Sequence, residues 1–187
     1  MLRFNLHTYR NVDAAQVVAV INAASRASGV AFTITEKELA ARQAAPGFDI
    51  DRDTSIVEAP GQGVIAYAEA NLRQADDCIY YLTQAWVHPR FCGQGIGHAL
   101  LERMWQQLQD ICTVAEHKPG VLGAAVQDSQ ANAMKLFEKF SMRAVRYFNL
   151  MQRDLSLPIP PVELASGIRM CSWAERRNDQ AIWAAHG

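Results

Sequence analysis

The order of strand and helix patterns along the 187 residues predicts an α+β fold, with a mixed central sheet and helices on both of its faces. Three observations support this prediction. A short strand pattern is followed by two helical patterns. Three consecutive strand patterns then share turn residues, as antiparallel hairpins do, and helices alternate with strands after them. The predicted order is β-α-α-β-β-β-α-β-α-β.

The first half of this order begins with a strand and two helices. Apolar and polar residues alternate at 2–6, which indicates a short strand. Asp13 is a candidate N-cap for the first helix. Thr35 stands three residues before Glu38, the spacing of a capping box, and this predicts the start of the second helix. Two hairpin strands follow at 54–58 and 64–72.

The second half begins with a strand at 78–87, which is rich in aromatic and β-branched residues. Apolar residues then recur at helical spacing from 96 to 108 and form one face of a helix. The remaining patterns predict a buried strand at 121–126, a helix at 129–139 and a final strand at 142–153.

The composition of the chain changes near residue 155. The proline-rich stretch 157–161 suits neither a helix nor a ladder and indicates a linker. We therefore divide the chain into a domain at 1–155 and a segment at 156–187. The apolar spacing of residues 168–173 repeats that of residues 4–9, and each is followed by an Asp that opens a helical pattern.

This repetition predicts that the segment holds a linker and the first strand and helix of a second, partial copy of the domain. An unrelated C-terminal extension is the alternative. A lone strand and helix cannot bury their apolar faces unaided. We expect the segment to pack on the first domain, to pair with another chain in a homodimer, or to be disordered.

Charge and cysteine usage exclude several classes of protein. The chain carries 18 Lys+Arg and 19 Asp+Glu, whereas a nucleic-acid-binding protein usually has a basic surplus, so we expect no nucleic-acid partner. It has no apolar run of about 18 residues and no signal peptide, so we expect no membrane partner. Its four cysteines form no CxxC pair, which predicts no metal site, free thiols and a cytoplasmic location.

A glycine-rich turn at 93–97 carries the chemical information. It leaves a predicted strand and enters a helix, so several backbone N–H groups and the positive end of the helix point at one spot, which suits a phosphate. A P-loop is excluded because Gly97 is followed by His98 and not by Lys. The spacing is G-x-G-x-G, which departs from the dinucleotide fingerprint. A turn that only allows close helix packing is the other alternative.

This turn, preceded by Val87-x-Pro89 and followed by Ala99-Leu100-Leu101, resembles the acetyl-CoA motif of the GNAT family of N-acetyltransferases. The segment 133–142 resembles the later helix of that family and the strand that follows it. The resemblance covers about residues 1–155, and the element order agrees with it. The partial second copy is similar to the arrangement in tandem-GNAT proteins such as those like mycothiol synthase, of which the chain would be the N-terminal lobe.

The resemblance implies direct transfer of an acetyl group from acetyl-CoA to the primary amine of a small molecule. The implied pyrophosphate site is the run of backbone amides of Cys92, Gly93, Gln94, Gly95, Ile96 and Gly97. The residues implied to pair through their backbone with the pantetheine arm are Ala85, Trp86 and Val87. Gln130 stands where the family often has an Asn near the pantetheine. The region from Asp13 to about Ala44 and the turn around Asp76 are the implied acceptor walls.

Position 137 departs from the family and concerns catalysis. The family often has a Tyr, which protonates the leaving CoA thiolate, where this chain has Phe137. Tyr80, Tyr81 and Tyr147 are therefore candidate acids, and for Tyr80 and Tyr81 packing in the core or at its rim is the alternative. A CoA-binding, catalytically weak lobe of a tandem protein is the alternative function. The turn glycine that the family has near Ser141 is also absent.

Cys92 stands where the family usually has Arg or Gln. A thiol at a helix N-terminus can have a lowered pKa and react readily. The alternative is that Cys92 is a small residue tolerated in a turn.

Overall fold

The computed structural model describes residues 2–29, 32–116, 118–149, 151, 153–161, 163–175 and 177–186. The chain forms two units, Met1–Ala144 and Val145–Gly187. The centre of the first unit is a five-stranded sheet in the order β1-β2-β3-β4-β5. The strands are β1 Asn5–His7, β2 Thr54–Ala59, β3 Gly63–Gln74, β4 Ile79–Val87 and β5 Gly120–Ala124.

Neighbouring strands are antiparallel from β1 to β4, and β5 runs parallel to β4. The antiparallel part follows from short turns, such as the one that contains Gly61 and Gly63, both with positive φ. A parallel pair needs a long crossover, and the long helix between β4 and β5 supplies it. The mixed sheet that the sequence predicts is confirmed.

Five helices surround the sheet in the part of the first unit that the structure describes. They are α1 Ala14–Ala27, α2 Glu36–Gln43, α3 Ile50–Asp53, α4 Ile96–Val114 and α5 Ala131–Lys139. The capping box that starts α2 is confirmed, since the amide of Glu38 donates to the hydroxyl of Thr35 and the amide of Thr35 donates to the carboxylate of Glu38. The sequence did not predict α3, which is a single turn.

The apolar core lies on both faces of the sheet. Ile56 and Val57 are neighbours in β2 and therefore point to opposite faces. Ile56 packs with Ile21 of α1 on one face, and Val57 packs with Leu100 of α4 on the other. All four side chains are buried. Helices on both faces, as the sequence predicts, are what this alternation requires.

The predicted final strand at 142–153 is wrong for the residues that the structure describes there. Residues 142–149, 151 and 153 have no strand pairing, and Leu150 and Gln152 lie outside the described residues. Val145, Tyr147 and Phe148 are all exposed. Apolar and polar residues alternate in this segment, but strand formation depends on packing against a neighbour more than on intrinsic preference.

The second unit, Val145–Gly187, contains one helix in its described part, α6 Asp179–His186. The helix begins at the Asp that the sequence predicts. Residues 168–172 are not paired as a strand. Apolar side chains such as Met170 and Trp173 are exposed. The partial second copy therefore stays a prediction.

The C-terminus of α5 is closed by a Schellman motif. The amide of Met142 donates to the carbonyl of Phe137 at 3.0 Å, and the amide of Ser141 donates to that of Glu138 at 2.9 Å. This geometry needs a left-handed residue at Ser141, whose φ is 57°. A side chain there is strained by about 1 kcal/mol, and glycine is the residue that avoids the strain.

We expect Ser141→Gly to raise the free energy of unfolding by about 0.5–1 kcal/mol, because it removes the strain and keeps both hydrogen bonds. Urea denaturation measures the change. Ala44→Gly is the matched control: Ala44 also ends a helix, but its φ is −87°, and we expect no gain there. A Ser141→Gly protein that is less stable than the parent would contradict the assignment.

Candidate functional site

The strand β4 is longer than its parallel neighbour. The pairing of β4 with β5 runs from Ile79 opposite Gly120 to Thr83 opposite Ala124, where β5 ends. On its other side β4 stays paired with β3 as far as Val87, which is opposite Ala66. Residues 84–87 therefore form an open edge of the sheet.

Alternation decides which backbone groups this open edge presents. The amide of Ile79 donates to Pro119 on the β5 side, and the amide of His88 donates to Ile65 on the β3 side. Because alternate residues point their N–H and C=O groups to opposite edges, the groups of Ala85 and Val87 face the open edge.

The backbone groups of Trp86 point away from the open edge. Its backbone groups point towards β3, where it is opposite Tyr67, and its ring is stacked on the Tyr67 ring with centroids 6.0 Å apart. Of the three residues expected to pair with a pantetheine arm, only Ala85 and Val87 have backbone groups that face the open edge, and the Val87 carbonyl lies 3.9 Å from the sulfur of Cys92.

The glycine-rich turn follows β4 directly. A single turn of 3₁₀ helix, Pro89–Phe91, leads into it, and α4 begins at Ile96. Gly93 and Gly95 have φ of 77° and 85°, values that L side chains rarely adopt. These two glycines let the chain reverse within a few residues and enter α4.

Five consecutive backbone amides of this turn are free donors. No hydrogen-bond acceptor among the described residues engages the amides of Gly93, Gln94, Gly95, Ile96 and Gly97. The amide of Cys92 is not one of them, since it donates to the carbonyl of Pro89 at 3.3 Å. The free amides stand at the positive end of α4, an arrangement that favours an anion such as a phosphate.

Gly97 serves helix packing. A Cβ atom added there would lie 3.1 Å from the Leu136 side chain of α5, whereas one at Gly93 or Gly95 would meet no described atom within 4 Å. The ring of Phe140 also packs on α4, with its centroid 4.8 Å from that of His98. The packing alternative is therefore correct for Gly97 and does not explain Gly93 and Gly95.

The helix α5 brings Gln130 and Phe137 to this region. Gln130 stands at the N-terminus of α5, and its side-chain oxygen accepts a hydrogen bond from the amide of Gln127 at 3.2 Å. Phe137 is half-buried and follows Leu136, which faces α4. Its ring has no group that can donate a proton.

The three candidate tyrosines lie in different environments. Tyr81 is fully buried, and its hydroxyl donates to the carbonyl of Arg52 at 2.9 Å, so it belongs to the core. Burial is the main cause that raises the pKa of Tyr81. Tyr147 lies in the second unit, in a segment without strand pairing, and is exposed.

Tyr80 is on the same face of β4 as Gln84, because alternate side chains of a strand share a face. It precedes Gln84 by four residues, which places their backbones about 13 Å apart. It also lies in the stretch where β4 and β5 are still paired, opposite Val121. Tyr80 is therefore distant from the open edge.

A cavity of about 300 Å³ borders the open edge on the face that carries α1 and α2. Its lining residues are Arg42, Ala45, Phe48, Glu69, Asn71 and Gln84. Arg42 belongs to α2, which lies within the region that the sequence implicates as an acceptor wall. Gln84 immediately precedes Ala85, so the cavity and the open edge are adjacent.

Sequence reasoning did not identify Arg42 or Glu69. The guanidinium Nη1 of Arg42 donates to Oε1 of Glu69 at 3.0 Å, and the hydroxyl of Tyr67 donates to Oε2 at 3.0 Å. Burial raises the pKa of the Tyr67 hydroxyl, and the Glu69 charge raises it further. The sequence signal for Glu69 was that it is the one charged residue in the otherwise apolar strand pattern at 64–70.

A larger cavity, of about 620 Å³, lies elsewhere in the first unit. It is bordered by α3, the end of β3 and the second half of α4. None of its lining residues belongs to the glycine-rich turn or to residues 84–87. Of the two cavities, the smaller one adjoins the open edge, through Gln84.

The described residues contain no group of three or more side chains that could hold a metal ion. None of the helices in the described part of the chain has the length and apolar character that a membrane span requires. All four cysteines are free thiols.

Comparison with known proteins bears on this geometry. The family model described as the acetyltransferase (GNAT) family matches residues 19–142, more than half of the chain. No curated protein matches the chain significantly.

Solved structures share the fold at low sequence identity. A GCN5-related N-acetyltransferase from Sphaerobacter thermophilus is 23% identical with a TM-score of 0.63, and the match covers 75% of this chain but only 44% of that one. The putative acetyltransferase yncA from Salmonella typhimurium, solved with its cofactor acetyl-CoA, is 19% identical with a TM-score of 0.55, covering 73% and 78% of the two chains.

The ribosomal-protein-S18-alanine N-acetyltransferase from Escherichia coli is 22% identical with a TM-score of 0.54, covering 74% and 76%. Identities this low establish the fold and do not carry over a substrate.

The Cys92 thiol gives a prediction at this site. Its sulfur lies 3.8 Å from the carbonyl oxygen of His88, and partial burial raises the pKa of the thiol. Cys92 also precedes α4 by four residues, so it is outside the first turn, where the helix end lowers a thiol pKa. A raised pKa means less thiolate at neutral pH.

We expect Cys92 to react with a disulfide reagent more slowly than N-acetylcysteine at pH 7.5, and its rate to keep rising with pH beyond about pH 8.5, the ordinary pKa of a cysteine thiol. Comparison of the parent with Cys92→Ser isolates its kinetic phase, and Cys171→Ser, which removes another exposed thiol, should leave that phase unchanged. A Cys92 rate that reaches its plateau below pH 8 would instead establish a reactive thiol.

Proposed function

The chain belongs to the acetyltransferase (GNAT) family, and from this premise we propose that it transfers an acetyl group directly from acetyl-CoA to the primary amine of a small molecule. The observation that carries the proposal is the juxtaposition of the open edge of β4 with the five free amides of the glycine-rich turn.

The residues present fit acetyl-CoA in two independent ways. The pyrophosphate is an anion, and the amides of residues 93–97 at the positive end of α4 are free to donate to it. The pantetheine arm contains amide groups, and Ala85 and Val87 direct their N–H and C=O groups to the open edge, where these amides pair as an added strand would. The turn follows β4 directly, so the two sets of groups serve one extended molecule.

The cavity beside Gln84 is the proposed acceptor site. An amine there lies next to the end of the pantetheine arm. In its neutral form the amine nitrogen attacks the thioester carbonyl carbon. A C–N bond forms and the C–S bond breaks; the amine gives up one proton and the departing thiolate takes one up. The products are the acetylated amine and CoA, and no further reactant is needed.

The chain's own residues contribute mainly by position. Backbone groups hold the donor, and the cavity holds the acceptor at the open edge, which converts a bimolecular encounter into a reaction between neighbours. The proton that the thiolate takes up has no side-chain donor at Phe137, so we propose that it comes from water.

A CoA-binding, catalytically weak lobe of a tandem-GNAT protein is the second candidate. Two observations favour it: Tyr81 is enclosed in the core, and Phe137 stands where the family often has its acid. The match with the Sphaerobacter protein covers only 44% of that chain, which is also consistent with a tandem protein. The two candidates share the acetyl-CoA site and differ in turnover.

Calorimetric titration with acetyl-CoA tests the shared part. We expect Gly95→Ala to weaken binding by about 10- to 100-fold, because a side chain at a φ of 85° strains the turn and displaces its amides. Gly61→Ala is the matched control. Gly61 also has a positive φ, of 71°, with open space around it, but lies in the turn between β2 and β3. Equal dissociation constants for Gly95→Ala and the parent would refute the proposed pyrophosphate site.

Turnover separates the two candidates, and Phe137 gives the sharpest probe. We expect Phe137→Tyr to raise kcat by about 100-fold or more, because it supplies the acid that the leaving thiolate lacks. CoA release is followed over a panel of amines. Phe140→Tyr is the control, since Phe140 is on the same helix and packs against His98. If Phe137→Tyr leaves kcat unchanged, residue 137 does not serve the leaving group.

A further inference from the structure

The acceptor cavity contains one guanidinium whose bonding is incomplete. Arg42 lies in the last turn of α2, and its side chain is 37% exposed. Among the described residues, its only hydrogen-bond acceptor is Glu69, reached through Nη1. A guanidinium carries five N–H donors in a planar fork, so several remain available.

Glu69, in contrast, is fully engaged. Its side chain is 5% exposed, and each carboxylate oxygen accepts a hydrogen bond, one from Arg42 and one from Tyr67. A buried charge is stable only when it is paired and hydrogen-bonded, and this carboxylate is both. Glu69 is thus a positioning residue that holds Arg42, and it is not an open anion for a substrate.

The ring of Phe32 makes a second contact with the guanidinium of Arg42. The Arg42 carbon Cζ lies 5.3 Å from the centroid of the Phe32 ring, within the range of a cation–π interaction. Arg42 is therefore held from two directions, by a carboxylate and by an aromatic face. A side chain fixed in this way loses little conformational freedom when it binds a ligand.

The remaining walls of the cavity offer little charge. Ala45 and Phe48 are apolar, and Asn71 and Gln84 are neutral amides. Because both oxygens of Glu69 already accept hydrogen bonds from Arg42 and Tyr67, the free N–H donors of Arg42 are the strongest polar feature that a ligand meets. The volume, about 300 Å³, is at the lower end of the range for small-molecule sites.

We propose that the acceptor is a small amine that also carries a carboxylate, an α-amino acid or a close relative, and that Arg42 binds this carboxylate. The inference rests on the proposed acetyl transfer. A guanidinium matches a carboxylate with two parallel hydrogen bonds. With the carboxylate on Arg42, the amine of the same molecule is directed to the Gln84 side of the cavity, beside the open edge at Ala85.

Matched pairs of amines test this inference. Leucine is compared with isopentylamine, and phenylalanine with phenethylamine, since each pair differs only in the carboxylate. We expect the parent protein to have the larger kcat/KM for the amino acid of each pair. Arg42→Gln should lower kcat/KM for the amino acids by about 10- to 100-fold, the loss of a charge-assisted hydrogen-bond pair, and change it by less than about threefold for the simple amines.

Taking the ratio within each pair, and then comparing variants, cancels the different basicity of the two amines. Lys37→Gln removes an exposed charge from the same helix and should leave the ratio unchanged. Arg42→Lys keeps the charge without the planar fork and should give an intermediate ratio. The double variant Arg42→Gln/Glu69→Gln removes both charges together, so the outcome does not depend on a buried carboxylate left unpaired.

The possible outcomes are distinct. An unchanged ratio in the folded double variant, with turnover present, overturns the role of Arg42 and leaves the acetyl transfer standing. Acetyl-CoA binding without acetylation of any of the four amines, by the parent or by Phe137→Tyr, overturns the acetyl transfer and the inference with it. A ratio that falls in Arg42→Gln and in the double variant, but not in Lys37→Gln, supports the carboxylate site.

Discussion

The difference in length between β4 and β5 is the constraint on which the site depends. Since β5 ends at Ala124, β4 keeps two residues, Ala85 and Val87, whose peptide groups have no strand to pair with. An isolated strand would not hold this shape; the unbroken ladder with β3 keeps β4 extended as far as Val87. A Cβ on Gly123 would lie 2.6 Å from the Cδ2 atom of the exposed Leu82 side chain, which would then have to move.

The side chains on the two faces of β4 have different surroundings. The odd-numbered Tyr81 packs with α4 and is buried, whereas the even-numbered Trp86 packs with α1 and Gln84 lines the cavity beside α2. Two adjacent tyrosines, Tyr80 and Tyr81, consequently have unrelated environments. Trp86 stacks on Tyr67, whose hydroxyl in turn binds Glu69, so the core on this face continues directly into the wall of the acceptor cavity. The apolar core and the polar wall of the acceptor cavity are thus in contact on one face of the sheet.

Features that depend on neighbours in sequence could be predicted, and features that depend on distant partners could not. The capping box at Thr35 and the glycine-rich turn are local, because all of their atoms come from a few consecutive residues. The ion pair of Arg42 with Glu69 joins positions 27 residues apart, and no pattern in one sequence connects them. The predicted strand at 142–153 was wrong for the same reason. Apolar and polar residues that alternate form a strand only where another strand or an apolar core packs against them. The orientation of Trp86 likewise depends on which of two neighbouring strands its peptide faces.

The division of labour between backbone and side chains explains how binding and catalysis can separate in such a fold. In the proposed site, acetyl-CoA is held almost entirely by peptide groups, at 93–97 and at Ala85 and Val87. Peptide groups survive substitution of their side chains, so a Cys at position 92, where the family usually has Arg or Gln, leaves the proposed donor site intact. The family, in contrast, often supplies the proton of the leaving thiolate from a single Tyr hydroxyl, which Phe137 lacks. A single substitution can therefore convert an efficient enzyme of this architecture into a slow one while its affinity for acetyl-CoA is unaffected, and the two candidate functions lie only that far apart.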